Sequence, residues 1–180
     1  DTLVGPENPA ALVATIAQPN IKIVSLTVTE KGYCHDPATG NLNEAHPDIV
    51  HDLKNLDNPV SAIGFIVAGL KQRYENKQKA FTALSCDNLP NNGEVLEKVV
   101  LQFAQKISPA LADWIKANAT FPGTMIDRIV PATTEDDRRD IEARLNVNGE
   151  SVRDEGMVVC EPFSQWVVED KFADGRPAWE

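Results

Sequence analysis

FTALSCDNLPNNGEVLEK, residues 81–98, decides the fold class. Phe81 to Ser85 carries no charge and reads as a short strand buried on both faces. The run stops abruptly in Cys86, Asp87, Asn88, Pro90, Asn91, Asn92 and Gly93, residues that favour turns over ladders. Beyond them Val95, Leu96, Val99, Val100, Phe103 and Ile107 recur at helical spacing. Asn91 is placed to cap that helix, with Glu94 at the reciprocal capping-box position. A buried strand breaking through a polar turn into an amphipathic helix is the repeating unit of α/β sheets.

The flanking sequence extends the pattern in both directions. Upstream, Pro9 to Ala17 predicts a short helix, and IKIVSLTVT, residues 21–29, predicts a strand dense in β-branched residues. Residues 34–58 show little periodicity and are expected to hold short turns or a binding rim. Asn58 before Pro59 predicts a helix entrance, followed by Ile63, Ile66, Val67 and Leu70 as an apolar face. Downstream, Ser108–Pro109 predicts a second entrance, with Leu111, Trp114 and Ile115 facing inward. Met125 to Val130 predicts a strand, Thr134 to Leu145 a charged helix, and Val152–Val159 and Trp166–Val168 two small strands. The expected fold is α/β with a parallel sheet. Residues 1–150 form the main α/β domain in this reading, and residues 151–180 an interdomain or small-sheet extension.

Composition narrows the function classes. The 180 residues are 42% hydrophobic, enough for a core of ordinary size. Against 17 Lys and Arg stand 27 Asp and Glu, giving a net charge of −10, which disfavours nucleic acid as a partner. No apolar run approaches the roughly 20 residues of a membrane span. The opening DTLVGPENP lacks a basic stretch leading into an apolar core, so no secretion signal is expected. Three cysteines, Cys34, Cys86 and Cys160, make no even disulfide framework, which fits a reducing, cytoplasmic setting.

Two stretches carry candidate chemistry. In parallel α/β sheets, ligands sit beyond the carboxyl ends of the strands. Cys86, Asp87, Asn88, Asn91 and Asn92 stand at such a boundary, where Asn amides can donate to a polarised carbonyl or a sugar hydroxyl. The competing reading gives these residues turn and cap duties. In FPGTMIDRIVP, residues 121–131, Asp127 and Arg128 lie between apolar anchors and would point in opposite directions on a regular strand. They are candidates for a ligand crevice or for a local or domain-bridging ion pair. Glu30, Lys31 and Tyr33 follow a strand and could line the same crevice. His35, His46 and His51 with Cys34 lack a compact ligand spacing, so no metal is expected. Cys86 has no histidine at catalytic spacing, which leaves a nucleophile role weakly supported. The segment EPFSQWVVEDKFADGRPAWE, residues 161–180, offers large aromatics for substrate contact or for an interface.

IVSLTVTEKGY, SCDNLPNNG, FPGTMIDRIVP and EPFSQWVVEDKFADGRPAWE together resemble the mannitol dehydrogenase family of long-chain polyol and hexuronate dehydrogenases. The branch they most resemble is that of the fructuronate reductases, or mannonate oxidoreductases. In FPGTMIDRIVP, Ile126 stands where the family signature usually has valine. The resemblance implies the later portion of a Rossmann-type nucleotide domain, with a small C-terminal extension leading toward a helical domain outside this sequence. It implies NAD as cofactor, with NADP left open, and hydride transfer between D-fructuronate and D-mannonate. Mannitol 2-dehydrogenase activity on fructose and mannitol is the first alternative, and a noncatalytic binding or interface module the second. A nonredox α/β enzyme using Cys86 or Asp127 is a weaker third. The substrate partner is a small sugar acid or polyol. The glycine-rich cofactor loop and the lysine base of the family lie outside these 180 residues, so the chain alone is expected to be inactive. By the same resemblance Asn88 polarises the reacting carbonyl, Asp127 and Arg128 belong to the substrate region, and Glu30 and Asn92 bind cofactor or shape the site.

Overall fold

The computed structural model describes residues 2–179, the Asn146 side chain excepted. The chain divides into two compact units. One comprises the chain up to Met125 and from Val167 onward, and the other is Ile126–Trp166. Residue 150, the expected domain boundary, lies inside the second unit.

The first unit is built around a parallel pair, β1 (Ile23–Leu26) and β2 (Thr82–Ser85), in register from Ile23 opposite Thr82 to Leu26 opposite Ser85. Thr120 extends the other side of β2 by a parallel bridge, and Ala83 N donates to Thr120 O at 3.0 Å. All four β2 residues are buried, as the uncharged sequence requires of a strand covered on both faces. Parallel strands need a crossover, and α3 (Ala62–Glu75) supplies it. Its Ile63, Ile66, Val67 and Leu70 are buried as the spacing predicts. Its Arg73 is buried too, donating to the carbonyls of Ile16 and Lys79 at 3.1 and 3.0 Å, and also to those of Gln18 and Ile21. Helix α1 (Pro9–Ile16) packs on α3. Helices α4 (Asn92–Ile107) and α5 (Pro109–Asn118) pack on each other and on α3, closing the core with Leu96, Val99, Val100, Phe103, Leu111 and Ile115. Ser108 Oγ accepts from Leu111 N at 3.5 Å, so the Ser108–Pro109 entrance forms as its sequence predicts.

Three expectations about this unit are corrected. Residues 34–58 contain a full helix, α2 (Pro47–Lys54), entered at His46 and Pro47. Only Ile49 and Asp52 of that helix are buried, so its sequence carries little apolar periodicity. The entrance to α3 is Ser61, three residues beyond Asn58. Asp52 decides this: its buried carboxylate accepts from Val60 N and Ser61 N at 2.9 Å and from Ser61 Oγ at 2.6 Å, satisfying the chain just before the helix. Gly64 makes room for it, since a Cβ there would lie 2.0 Å from Asp52 Oδ2. Finally, Asn91 stands at the N-cap of α4 in a left-handed conformation (φ 53°) and makes no side-chain cap bond, so no capping box forms with Glu94.

The division between the units falls within β3 (Thr124–Asp127) and β6 (Gln165–Val168), which pair with each other. Inside the second unit, α6 (Glu135–Arg144) opens on a reciprocal capping box between Thr134 and Asp137. The strand expected at Val152–Val159 is replaced by a two-residue hairpin pair, β4 (Asn146–Val147) and β5 (Glu150–Ser151), joined through Asn148 and Gly149 at positive φ. That asparagine–glycine turn fits the right-handed twist of an antiparallel hairpin. Near the C-terminus, Ala173 N donates to Thr82 Oγ1 at 2.9 Å and Asp174 meets Lys79 at 2.6 Å, tying this segment to the start of β2 within the first unit. Among the described residues, no helix is long and apolar enough to cross a membrane.

Candidate functional site

β1 and β2 are parallel, so their carboxyl ends share one edge. The chain leaves β1 toward a 3-10 turn at Glu30–Tyr33 and leaves β2 through the bend at Asp87–Asn88. Tyr33, fully buried, joins the two loops: its Oη lies 2.7 Å from Ser85 Oγ and is hydrogen-bonded to Asp87. A carboxylate only accepts, so the single phenol hydrogen goes to Asp87 and the Ser85 hydroxyl donates to Tyr33. Burial first, and the Asp87 bond next, push the Tyr33 phenol well above its ordinary pKa of 10.0.

The network continues beneath the edge. Asp87 Oδ1 accepts from Leu89 N at 2.9 Å, fixing the bend that contains Asn88. Asn92, only 1% exposed, uses both ends of its amide. Its Nδ2 donates to Asp87 O and Thr124 O, both at 3.1 Å, and its Oδ1 accepts from Gly93 N at 2.8 Å and Thr124 N at 3.0 Å. Thr124 in turn donates through Oγ1 to Ser85 O. Gly93 permits this approach, because a Cβ there would sit 2.5 Å from Phe121 O and 2.7 Å from Gly123 N. The first turn of α4 is therefore fastened to the segment leading into β3 by backbone proximity and a shared side chain.

Asn88 differs from both neighbours. It is exposed, and its amide makes no hydrogen bond among the described residues. A donor held on a bend whose flanks are fixed, yet itself unengaged, is what an incoming carbonyl oxygen needs. Glu30 is likewise exposed, on the turn that Tyr33 anchors. Glu30 stands on the loop after β1, Asn88 on the loop after β2 and Asn92 where that second loop enters α4, and Tyr33 ties the two loops together through Asp87. Asn92 supports the strand edge from below, through contacts that leave its amide no free capacity. Cys86 is half-buried, and burial followed by Asp87 pushes its thiol up, which disfavours the thiolate.

Asp127 and Arg128 belong to the second unit and are described with it. Both are exposed, and neither forms an ion pair among the described residues, so the pairing weighed from sequence is replaced by a backbone contact. Arg128 Nε donates to Glu161 O at 3.2 Å, while Ile129 N donates to Glu161 Oε1 at 2.7 Å. Glu161 N returns a bond to Ile129 O at 3.1 Å. The Asp127 carboxylate makes no hydrogen bond among the described residues.

Sequence reasoning passed over Ser85 and Thr124 and undervalued Tyr33. The one available signal was Tyr33 itself, since a tyrosine buried after a strand needs a partner for its hydroxyl. A cavity of about 880 Å³ is formed by residues 36–45 with α4 and α5 and includes none of these groups.

A parallel strand pair with a helical crossover is the unit of α/β domains, whose ligands sit at the carboxyl edge of the strands. The description "Mannitol dehydrogenase Rossmann domain" fits residues 2–180, and the chain belongs to the mannitol dehydrogenase family. It is 53% identical over 171 residues to an uncharacterized oxidoreductase, YeiQ, of Escherichia coli K12, covering 95% of this chain and 34% of the relative. It is 50% identical over 169 residues to the D-mannonate oxidoreductase of the same organism, covering 94% of this chain and 34% of that enzyme. A solved Pseudomonas fluorescens mannitol 2-dehydrogenase in ternary complex with NAD and D-mannitol superposes with a TM-score of 0.87 at 46% identity, over 99% of this chain and 35% of that one. The chain spans about a third of the length of these relatives.

Proposed function

We propose that this chain is the later part of the nucleotide domain of a nicotinamide-dependent dehydrogenase that reduces a ketouronate to an aldonate, D-fructuronate to D-mannonate. The observation that carries the reading is Asn88, an unengaged amide donor on a braced bend at the carboxyl edge of the parallel strands. The uronate branch is supported by 50% identity to a D-mannonate oxidoreductase, against 46% to the Pseudomonas fluorescens mannitol 2-dehydrogenase and 42% to one of Aspergillus fumigatus.

Glu30, Lys31 and Asn88 are exposed polar groups on the loops at the strand edge and support this reading. NAD, when bound, supplies or accepts the hydride. As the carbonyl carbon is reduced, negative charge grows on its oxygen, and the Asn88 amide donates to that oxygen. The remaining proton comes from an acid outside this chain, a lysine in the family this sequence resembles. Asp127 and Arg128 are substrate-region residues by the family resemblance alone, and Glu30 shapes the turn that follows β1. Asn92 acts through Asp87 and Thr124 and is a positioning residue.

The test uses the longer enzyme that carries this chain, supplied with D-fructuronate or fructose and with NADH or NADPH. NADH oxidation with D-fructuronate is expected. Asn88→Ala should lower kcat by about a hundredfold, while an exposed substitution leaves the melting temperature nearly unchanged. Turnover that is indifferent to Asn88→Ala would remove the residue from the mechanism, and a preference for fructose would move the protein to the polyol branch.

A further inference from the structure

Two stretches that the redox reading leaves unused meet in the first unit. Cys34 follows the 3-10 turn at φ 50°, and His46 and Asp48 open α2. The loop between them folds back on itself, with His35 bridged to Leu42 and Asn43 N donating to Cys34 O at 2.8 Å. This return brings Cys34 Sγ, His46 Nδ1 and a carboxylate oxygen of Asp48 within 4.8 Å of one another. Thiolate, imidazole and carboxylate are the ligand types of a zinc-like divalent ion.

We propose that Cys34, His46 and Asp48 bind one divalent transition-metal ion of the zinc type, at a site that takes no part in hydride transfer. Metal–ligand bonds of about 2.0–2.3 Å set tetrahedral donors about 3.4–3.6 Å apart. His46 Nδ1 and Asp48 Oδ2 lie 3.9 Å apart and the three donor atoms within 4.8 Å of one another, so an ion would draw them together by roughly 0.5–1.3 Å.

Cys34 Sγ makes one long contact, 3.8 Å, to Gly32 O. His46 Nδ1 caps α2 by accepting from Asp48 N at 3.3 Å, and because it has one lone pair a bound ion would replace that cap bond. The Asp48 and Asp52 carboxylates act on Cys34 and favour a cation beside it. The positive end of α2 opposes a cation with roughly half a charge, which a bound thiolate and carboxylate together exceed. A cavity of about 440 Å³ beside Cys34 and His46 is also lined by Glu30, Lys31 and His35, leaving room for a fourth ligand, water or protein. The Nδ1 of His35 is buried without a hydrogen-bond partner among the described residues. Bound metal would clasp the start of α2 to the turn after β1 and close the loop between them.

The chain itself, reduced and stripped of metal with a chelator, is titrated with Co²⁺ and then with Zn²⁺. One Co²⁺ per chain is expected, with thiolate-to-cobalt charge-transfer absorption that Zn²⁺ abolishes. Cys34→Ser should remove that absorption and weaken binding at least tenfold. Cys86→Ser and Cys160→Ser should change neither. Cys34 is buried, so Asp48→Asn, at a half-exposed side chain, is measured beside it and should weaken binding with the circular dichroism unchanged. Absence of the absorption in the unaltered chain, or affinity that survives Asp48→Asn, overturns the site. Neither readout depends on dehydrogenase activity.

Discussion

Asn92→Ala tests whether one buried amide holds the candidate site together. The side chain makes four close bonds, to Asp87 O, Thr124 O, Gly93 N and Thr124 N, at 2.8 to 3.1 Å. Each is worth about 1 kcal/mol net, and the shorter side chain recovers about 1 kcal/mol of ordering entropy, so the expected loss is about 3 kcal/mol. With a urea dependence of about 2 kcal/mol per molar, the unfolding midpoint should fall by about 1.5 M at unchanged slope. Asn92→Asp is the informative companion. It keeps both acceptors, loses both donors and turns a charge toward two carbonyl oxygens, so it should be at least as damaging. Helical circular dichroism against urea, with both variants beside the unaltered chain, reads the result. A midpoint shift below about 0.3 M for Asn92→Ala would show that the network is not cooperative and that the bend at Asn88 is held by something else.

The pH dependence of Tyr33 follows from its raised pKa. The native state keeps a proton that the unfolded chain releases above about pH 10, so this contribution is whole below pH 10 and is lost as pH rises beyond it. Tyr33→Phe should therefore weaken the fold by about 1–2 kcal/mol at pH 7, by leaving Asp87 and Ser85 short of a partner. It should also flatten the decline of stability above pH 10 in urea melts, and an unchanged alkaline slope would discount the Tyr33–Asp87 bond. Gly64→Ala gains about 1 kcal/mol in helix propensity. It collides with an Asp52 carboxylate pinned by Val60 and Ser61, at a cost of about 3 kcal/mol. A net loss near 2 kcal/mol is expected from the melting midpoint, and stabilisation would mean that Asp52 can move aside.

The local elements were written in the sequence wherever their energetics are local. FTALS is a buried strand because nothing in it is charged. Ser108–Pro109 starts a helix because a hydroxyl and a fixed φ act within one turn. The four phrases from 21–33, 85–93, 121–131 and 161–180 carried the family. Asn88 stood out as an amide on a strand-ending bend for the same reason, since position after a buried strand is a property of the chain alone.

What only the tertiary structure decided are the partners of polar groups. Asn91 and Glu94 match a capping box in sequence. Asn92, anchored to Thr124 some thirty residues away, instead fixes the first turn of α4 and leaves Asn91 left-handed. Asn58–Pro59 matches a helix start, yet the buried carboxylate of Asp52 moves it to Ser61. Cys34 and His46 show no ligand spacing, but the loop between them folds back and brings their donor atoms together with that of Asp48. A buried donor or acceptor must find a partner, and the chain meets that demand through space, where sequence separation has no bearing.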